Sequence, residues 1–323
     1  MINELLTNTG WITPQIDFLV WLQNLRTATG GIFDDFLLRL TTFGETIVPF
    51  AIMCVIYWCF DFKGGIYIFS LNSVCMIIAQ FFKISACIYR PWVISDSVHP
   101  QPKAFLRAGG YSFPSGHSAM AASSFGGIAY FFRKNIPLCI FLILLVLIVG
   151  FSRLYLGVHT PQDVLVGFIT GLVFIFLIDF ILKKCEKNKN GYLYFALAVN
   201  ILTVMLLVYA CTKGYPMDYY NGKLLANPLN VKYIAVMYGG QSAGLITGAM
   251  LCARFFPFNP KEWSMKRRII TGITGVILAV SILNHTQYFW GHMIDFKLAF
   301  VITFCASLVL TGLYPFIFTR FKK

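Results

Sequence analysis

Charge is what this sequence has least of. Only 12% of its 323 residues are Asp, Glu, Lys or Arg, whereas 58% are hydrophobic. A soluble domain usually carries about a quarter charged residues, so a soluble globular protein is excluded over most of the length. Paired cysteines are also missing. The nine cysteines are scattered, with no CxxC pair and no His/Cys ligand spacing, which argues against a zinc site or a disulfide framework and reads them as small buried hydrophobes. No basic stretch precedes an apolar run near Met1, so no secretory signal peptide is expected. There is no internal repeat, low-complexity tract or soluble domain.

What is present is long apolar runs. About nine reach membrane-spanning length: Thr46 to Phe62, Gly65 to Cys87, His117 to Phe132, Ile136 to Phe151, Pro161 to Leu182, Tyr192 to Cys211, Tyr233 to Phe256, Ile269 to Leu283 and Phe296 to Phe318. Lipid cannot satisfy their backbone polar groups, so each should be a helix, and the expected fold class is all-α, a polytopic integral membrane bundle. Residues 1–44 differ. IDFLVWLQNL and FDDFLLRLTTF place apolar residues at helical spacing among Asp17, Arg26, Asp34, Asp35 and Arg39, the pattern of interfacial helices. Residues 45–190 hold the polar motifs and residues 191–323 read as an additional bundle, in which LITGAM and TGITG offer small residues for close helix packing.

The net charge of +13 would suggest nucleic acid in a soluble protein. Here its distribution matters instead, and no nucleic-acid partner is expected. Lys63, the FRKN and KKCEKNKN loops, the stretch Arg254 to Arg268 and the tail TRFKK fall on one face. That face holds roughly fifteen Lys and Arg, against about eleven opposite, so it is assigned to the cytoplasm. The opposite face carries two loops too polar for lipid, Arg90 to Gly116 and Lys213 to Lys232. It also carries the hinge FSRLYLGVHTPQD between two spans. His285 and His292 flank QYFWG at a further outward loop, where an interfacial aromatic belt is expected.

Three polar blocks lie at outward helix ends. In FFKISACIYRPW, Lys83 and Arg90 are two turns apart and would share a helix face before Pro91 stops the helix; Lys83 alone could equally snorkel to the interface. In YSFPSGHSAM, small residues before a helix start leave N–H groups for an oxyanion, and His117 could supply a proton. In the hinge, Thr160, Pro161 and Asp163 suit the N-cap, first and third positions of a helix. Asp163 then stands one turn from His159, where it either orients the imidazole or simply caps the helix. Together the blocks offer cations, a Ser-Gly turn, two histidines and a carboxylate, a cradle for a phosphoryl group.

K-x6-R-P, P-S-G-H and S-R-x5-H-x3-D, in this order from Lys83 to Asp163, resemble the three signature motifs of the type 2 phosphatidic acid phosphatase superfamily, with every signature position matched. The resemblance implies a metal-independent phosphatase, with no cofactor, acting on a membrane lipid phosphate or diphosphate of the undecaprenyl diphosphate, phosphatidylglycerol phosphate or phosphatidate type. It implies that His159 attacks phosphorus to form a phosphohistidine, Asp163 orients it and His117 protonates the leaving group. Lys83, Arg90, Ser115, Gly116 and Arg153 would bind phosphate oxygens. Lys103 and Arg107, just before PSGH, are candidate headgroup contacts, although solvated loop charges are the plainer reading. A lipid phosphotransferase, a lipid-phosphate binding or transport protein and a sugar phosphatase are the alternatives. The expected place is a bacterial inner or plasma membrane with the site on its extracytoplasmic face, in contact with the lipid bilayer; oligomeric state is left open.

Overall fold

The computed structural model describes residues 9–220, 222–291 and 295–320. The chain opens with α1 (Thr9–Ala28) and α2 (Asp34–Leu40), then a 3-10 turn, Thr41–Gly44. Next come α3 (Ile47–Val55), α4 (Phe62–Ala86), and two short outward helices, α5 (Pro91–Ile94) and α6 (Pro102–Arg107). Helices α7 (Gly116–Ala121) and α8 (Gly127–Phe131) are joined through a π turn. They are followed by α9 (Ile136–Tyr155), α10 (Pro161–Cys185), α11 (Gly191–Thr212), α12 (Pro228–Phe255), α13 (Met265–Gly291), α14 (Phe296–Leu308) and α15 (Tyr314–Arg320). A two-residue antiparallel pair, Tyr219–Tyr220 with Lys223–Leu224, decorates the loop before α12.

Sequence sets the helix starts in an ordinary way. Asp61 caps α4 by accepting from Gly64 N at 2.8 Å, Asn135 caps α9, and Asn227 caps α12 with Pro228 behind it. The fold class is all-α and polytopic as expected, but the expected count of nine spans is not reproduced. Among the described residues seven helices are long and apolar enough to cross a membrane. An eighth results if Asp34–Gly44 and Ile47–Phe60, bent by 50°, form one span. Glu45 and Thr46 stand at that bend, outside regular helix, with the Glu45 side chain about a third exposed. The other missing span is the segment 116–131. It is shorter than the roughly twenty residues that hydrocarbon demands, and most of it is buried by neighbouring helices, so protein rather than lipid sets its length.

Helix α4 is the axis of the molecule: 83% of its most apolar window is buried, against 33% for α9, α10 and α11. Helix α12, at 67%, is the second inner helix. One buried cluster runs through both halves of the chain and includes Phe50, Trp58, Phe69, Phe125, Leu245 and Leu310. Residues 191–320 therefore complete a shared core. Trp58 Nε1 donates to Leu310 O at 3.2 Å and Tyr57 Oη to Thr311 O at 2.9 Å across that seam.

The two ends of the bundle sort the polar residues. At one end Lys63 pairs with Glu186 at 3.1 Å, Lys261 with Asp61 at 2.5 Å, and Arg254 reaches Asn190 at 3.3 Å. The other end gathers the loops 87–115, 156–160 and 213–227, tied by Tyr89 donating to Asp218 at 2.5 Å and by Gln101 N donating to Leu156 O at 3.0 Å. The QYFWG stretch continues α13 instead of forming a loop, with His285 Nδ1 2.7 Å from Ser281 O; His292 and the last residues of the TRFKK tail lie outside the described residues, as do residues 1–8.

Candidate active site

The three polar blocks converge on one pocket of about 680 Å³ at the loop-rich end, lined by Lys83, Arg90, Gly116, His117, Arg153 and His159 among others. Each is delivered by a different local structure. Helix α4 ends at Ala86 because Cys87 turns left-handed at φ 50°, the one non-glycine among the described residues to do so. Lys83 and Arg90 therefore do not share a helix face as the spacing suggested. Arg90 follows an extended stretch, and Pro91 opens α5 in place of merely stopping α4, which suits proline at a first helical position.

Helix α10 begins as expected, with Pro161 at its first position and Asp163 in its first turn. Asp163 Oδ2 accepts from Thr160 N at 2.8 Å and so caps the helix. The same Oδ2 accepts from Ser112 Oγ at 2.6 Å and faces His159 Nδ1 at 3.4 Å. On the other side of the ring, Arg90 Nη1 lies 2.9 Å from His159 Nε2. A guanidinium can only donate, so Nε2 must hold the lone pair and Nδ1 the proton. The ring is thereby fixed in one tautomer, with the Nε2 lone pair on the side of Arg90. Burial, then the Arg90, Arg153 and Lys83 cations, push His159 well below the usual imidazole range, so it is uncharged at neutral pH.

The cations differ in what they have left to give. Lys83 Nζ donates to Tyr111 O at 2.9 Å, Ser112 O at 3.2 Å and Pro114 O at 2.8 Å, which uses all three ammonium protons to hold the loop before α7. Arg90 is braced by Val158 O, Gly109 O and Gly110 O. Arg153 is only 4% exposed and has one bond, Nη1 to Thr41 Oγ1 at 2.8 Å, while its Nε has no protein partner. It is the guanidinium with donors free for an anion.

Ser115 is fully buried and caps α7, its Oγ accepting from Ser118 N at 3.3 Å while its own N–H donates to Asp163 O at 2.9 Å. That last bond stitches the second block to the third. Gly167 of α10 makes the approach possible: a Cβ there would stand 2.9 Å from Ser115 O. His117, in a helix outside the seven candidate spans, points its Nε2 at Glu45 Oε1 4.0 Å away. Burial and the Arg153 cation push His117 down to about 4, and the Glu45 carboxylate works against both.

Of the candidate headgroup contacts, Arg107 lies at the pocket mouth 3.8 Å from Glu45. Lys103 pairs with Asp35 at 2.9 Å in solvent, both side chains more than 60% exposed, and does not line the pocket. Glu45, Thr41 and Ser112 belong to the site but not to any motif seen in the sequence. Ser112 lies four residues before Gly116 and offered only its nearness. Thr41 and Glu45 are over a hundred residues from Arg153 in the chain, so no spacing could have announced them.

The hinge is braced from outside by α1. Trp11 Nε1 donates to Gln162 Oε1 at 2.8 Å, Gln162 N donates to Gln15 Oε1 at 2.9 Å, and Arg26 Nη2 reaches His99 O at 2.7 Å. The site is thus a neutral, oriented imidazole facing a cationic pocket, with a second imidazole beside a carboxylate. That arrangement suits attack on an anionic phosphorus centre with proton transfer to a leaving oxygen.

Comparison with known proteins finds relatives named as lipid phosphatases. Residues 63–186 match the model of the PAP2 superfamily. Over 111 residues, 32% of this chain, the sequence is 37% identical to phosphatidylglycerophosphatase B of Bacillus subtilis (strain 168), covering 54% of that protein. Over 89 residues, 26% of this chain, it is 44% identical to lipid A 4'-phosphatase of Bacteroides thetaiotaomicron, covering 37% of it. The chain thus spans about half the length of the first relative and little more than a third of the second. No solved structure matches it significantly.

Proposed function

We propose that this chain, whose residues 63–186 match the PAP2 superfamily, is a membrane phosphatase that removes the terminal phosphate of a lipid through a phosphohistidine. The observation that carries the reading is the pair of contacts on His159, Asp163 facing Nδ1 at 3.4 Å and Arg90 on Nε2 at 2.9 Å. A structural histidine has no use for a fixed lone pair aimed into a cationic pocket. A nucleophile does.

In the proposed cycle the substrate phosphate enters against Arg153, Gly116 and Arg90, and Arg90 exchanges His159 for a phosphate oxygen. Nε2 attacks phosphorus, the N–P bond forms as the P–O bond to the lipid breaks, and protonated His117 gives its proton to the departing oxygen. The incoming phosphate charge supports that protonation, as Glu45 does. Water then attacks phosphorus, its proton passes to His117, the N–P bond breaks, and inorganic phosphate leaves. Cations carry the electrostatic load throughout.

A phosphatidylglycerol phosphate type of substrate is placed first, because the relative with the longer match is named for that lipid class; phosphatidate and undecaprenyl diphosphate types follow. The Lys-rich end is assigned to the cytoplasm and the pocket to the opposite face by the charge rule. The test is a panel of these lipids with purified protein in detergent, reading inorganic phosphate against phosphorylated acceptor, with EDTA present. Phosphate release that survives EDTA and falls at least about a thousandfold in His159→Ala is expected. Activity of the variant equal to the parent would overturn the reading.

A further inference from the structure

Beside the catalytic pocket lies a smaller cavity of about 170 Å³, and the two share Thr46, Ile234 and Tyr238 as a common wall. The rest of its lining is largely apolar and includes Phe50, Met237 and Leu310. Thr46 Oγ1 and Tyr238 Oη stand 3.3 Å apart at the boundary and satisfy each other. Thr303, another wall residue, donates to Ala299 O of its own helix at 2.9 Å and so makes no demand on an occupant.

Resting on the phosphatase reading, we propose that this second cavity takes the first stretch of the substrate's hydrocarbon chain, with the Thr46–Tyr238 pair dividing headgroup from tail. Continuity with the phosphate pocket is the first argument. The second is depth. Tyr238 lies about ten residues beyond the outward start of α12, and Leu310 about fourteen beyond that of α14. At 1.5 Å per residue these are some 15 and 20 Å down, in the hydrocarbon. A lipid with its phosphate at His159 sends its tail in this direction. Size is the third: apolar cavities of about 150 Å³ accept a benzene-sized group, so this one holds a short segment and leaves the rest of the chain in the bilayer. Its walls come from α3, α12, α13 and α14, which gives three of the last four spans a part in substrate selection.

Two measurements on the full chain test this. Met237→Trp and Ala306→Phe each fill the cavity. The quantity read is the kcat/KM for a dipalmitoyl lipid phosphate divided by that for its dihexanoyl homologue. That ratio is expected to drop about tenfold or more, as when a couple of methylenes lose their burial; an unchanged ratio overturns the proposal. The second measurement needs no turnover and no altered cavity. His159→Ala protein in vesicles is irradiated with a lipid phosphate carrying a diazirine on its upper chain, and label is expected on peptides holding Met237 or Leu310. Label confined to other helices, or its absence, overturns the proposal. A parent protein that releases no phosphate from either homologue defeats the phosphatase reading instead, and the labelling still decides the cavity.

Discussion

His159 shows how much a single residue depends on what touches its two nitrogens. Asp163→Asn keeps the shape but removes the charge that favours the Nδ1 proton, so the ring is freed to place its proton on Nε2. Such a loss of tautomer control is expected to lower kcat by about 10²–10⁴ with little change in folding, read as phosphate release beside a thermal melt. The pH profile follows from the same neighbourhood. As the proposed nucleophile His159 acts when neutral, and its pKa is lowered, so activity should persist as pH falls through the ordinary imidazole range near 6.5. In the proposed cycle the alkaline limb belongs to His117, which gives up a proton. Glu45→Gln removes the opposite charge beside it and should move that limb to lower pH by about one unit, while Glu45→Asp should move it less. An unshifted profile would show that Glu45 is only structural. The sequence singled out His159, Asp163, His117 and Arg153 because the roles proposed for them need fixed spacings within one hinge or turn. Glu45 and Thr41 act across space from the bend before α3, and a spacing cannot express that.

Elements were legible where lipid dictates them. Helices α4 and α9 to α14 stand close to the apolar runs that announced them, because about twenty apolar residues in hydrocarbon have one solution. Reading failed where protein replaces lipid. The segment 116–131 is short because its neighbours bury it, and the Lys83–Arg90 stretch leaves the helix at Cys87 so that each cation can meet different backbone carbonyls. Lys83 consequently acts on an element, gripping the 111–114 carbonyls and thereby setting where α7 starts. Small residues matter at this scale too. A Cβ on Gly244 of α12 would meet the Phe304 backbone carbonyl of α14. Gly244→Val should therefore force the helices apart at a cost of about 1–3 kcal/mol, measurable as a lower melting temperature in detergent. An unchanged melt would mean that α14 can slide to accommodate it.

At the level of the whole molecule, the apolar pattern suggests a catalytic block to residue 190 and an added bundle after it, and one buried cluster draws residues from both. Ending the chain after Asn190 would leave Trp58 Nε1 and Tyr57 Oη without the Leu310 and Thr311 carbonyls. Unsatisfied donors in lipid cost several kcal/mol each, so this truncated protein is expected to yield no monodisperse peak on size-exclusion chromatography. Recovery of a folded, active fragment would restore the two-block view. The brace formed by α1 has a consequence in time. Trp11 and Gln15 hold Gln162, about 150 positions further along the chain, so a ribosome delivers the clasp long before the hinge it fastens. During synthesis the first helix has nothing to grip until the HTPQD turn has emerged. His159 and its outer brace therefore come together late, after the intervening spans have been handed to the bilayer.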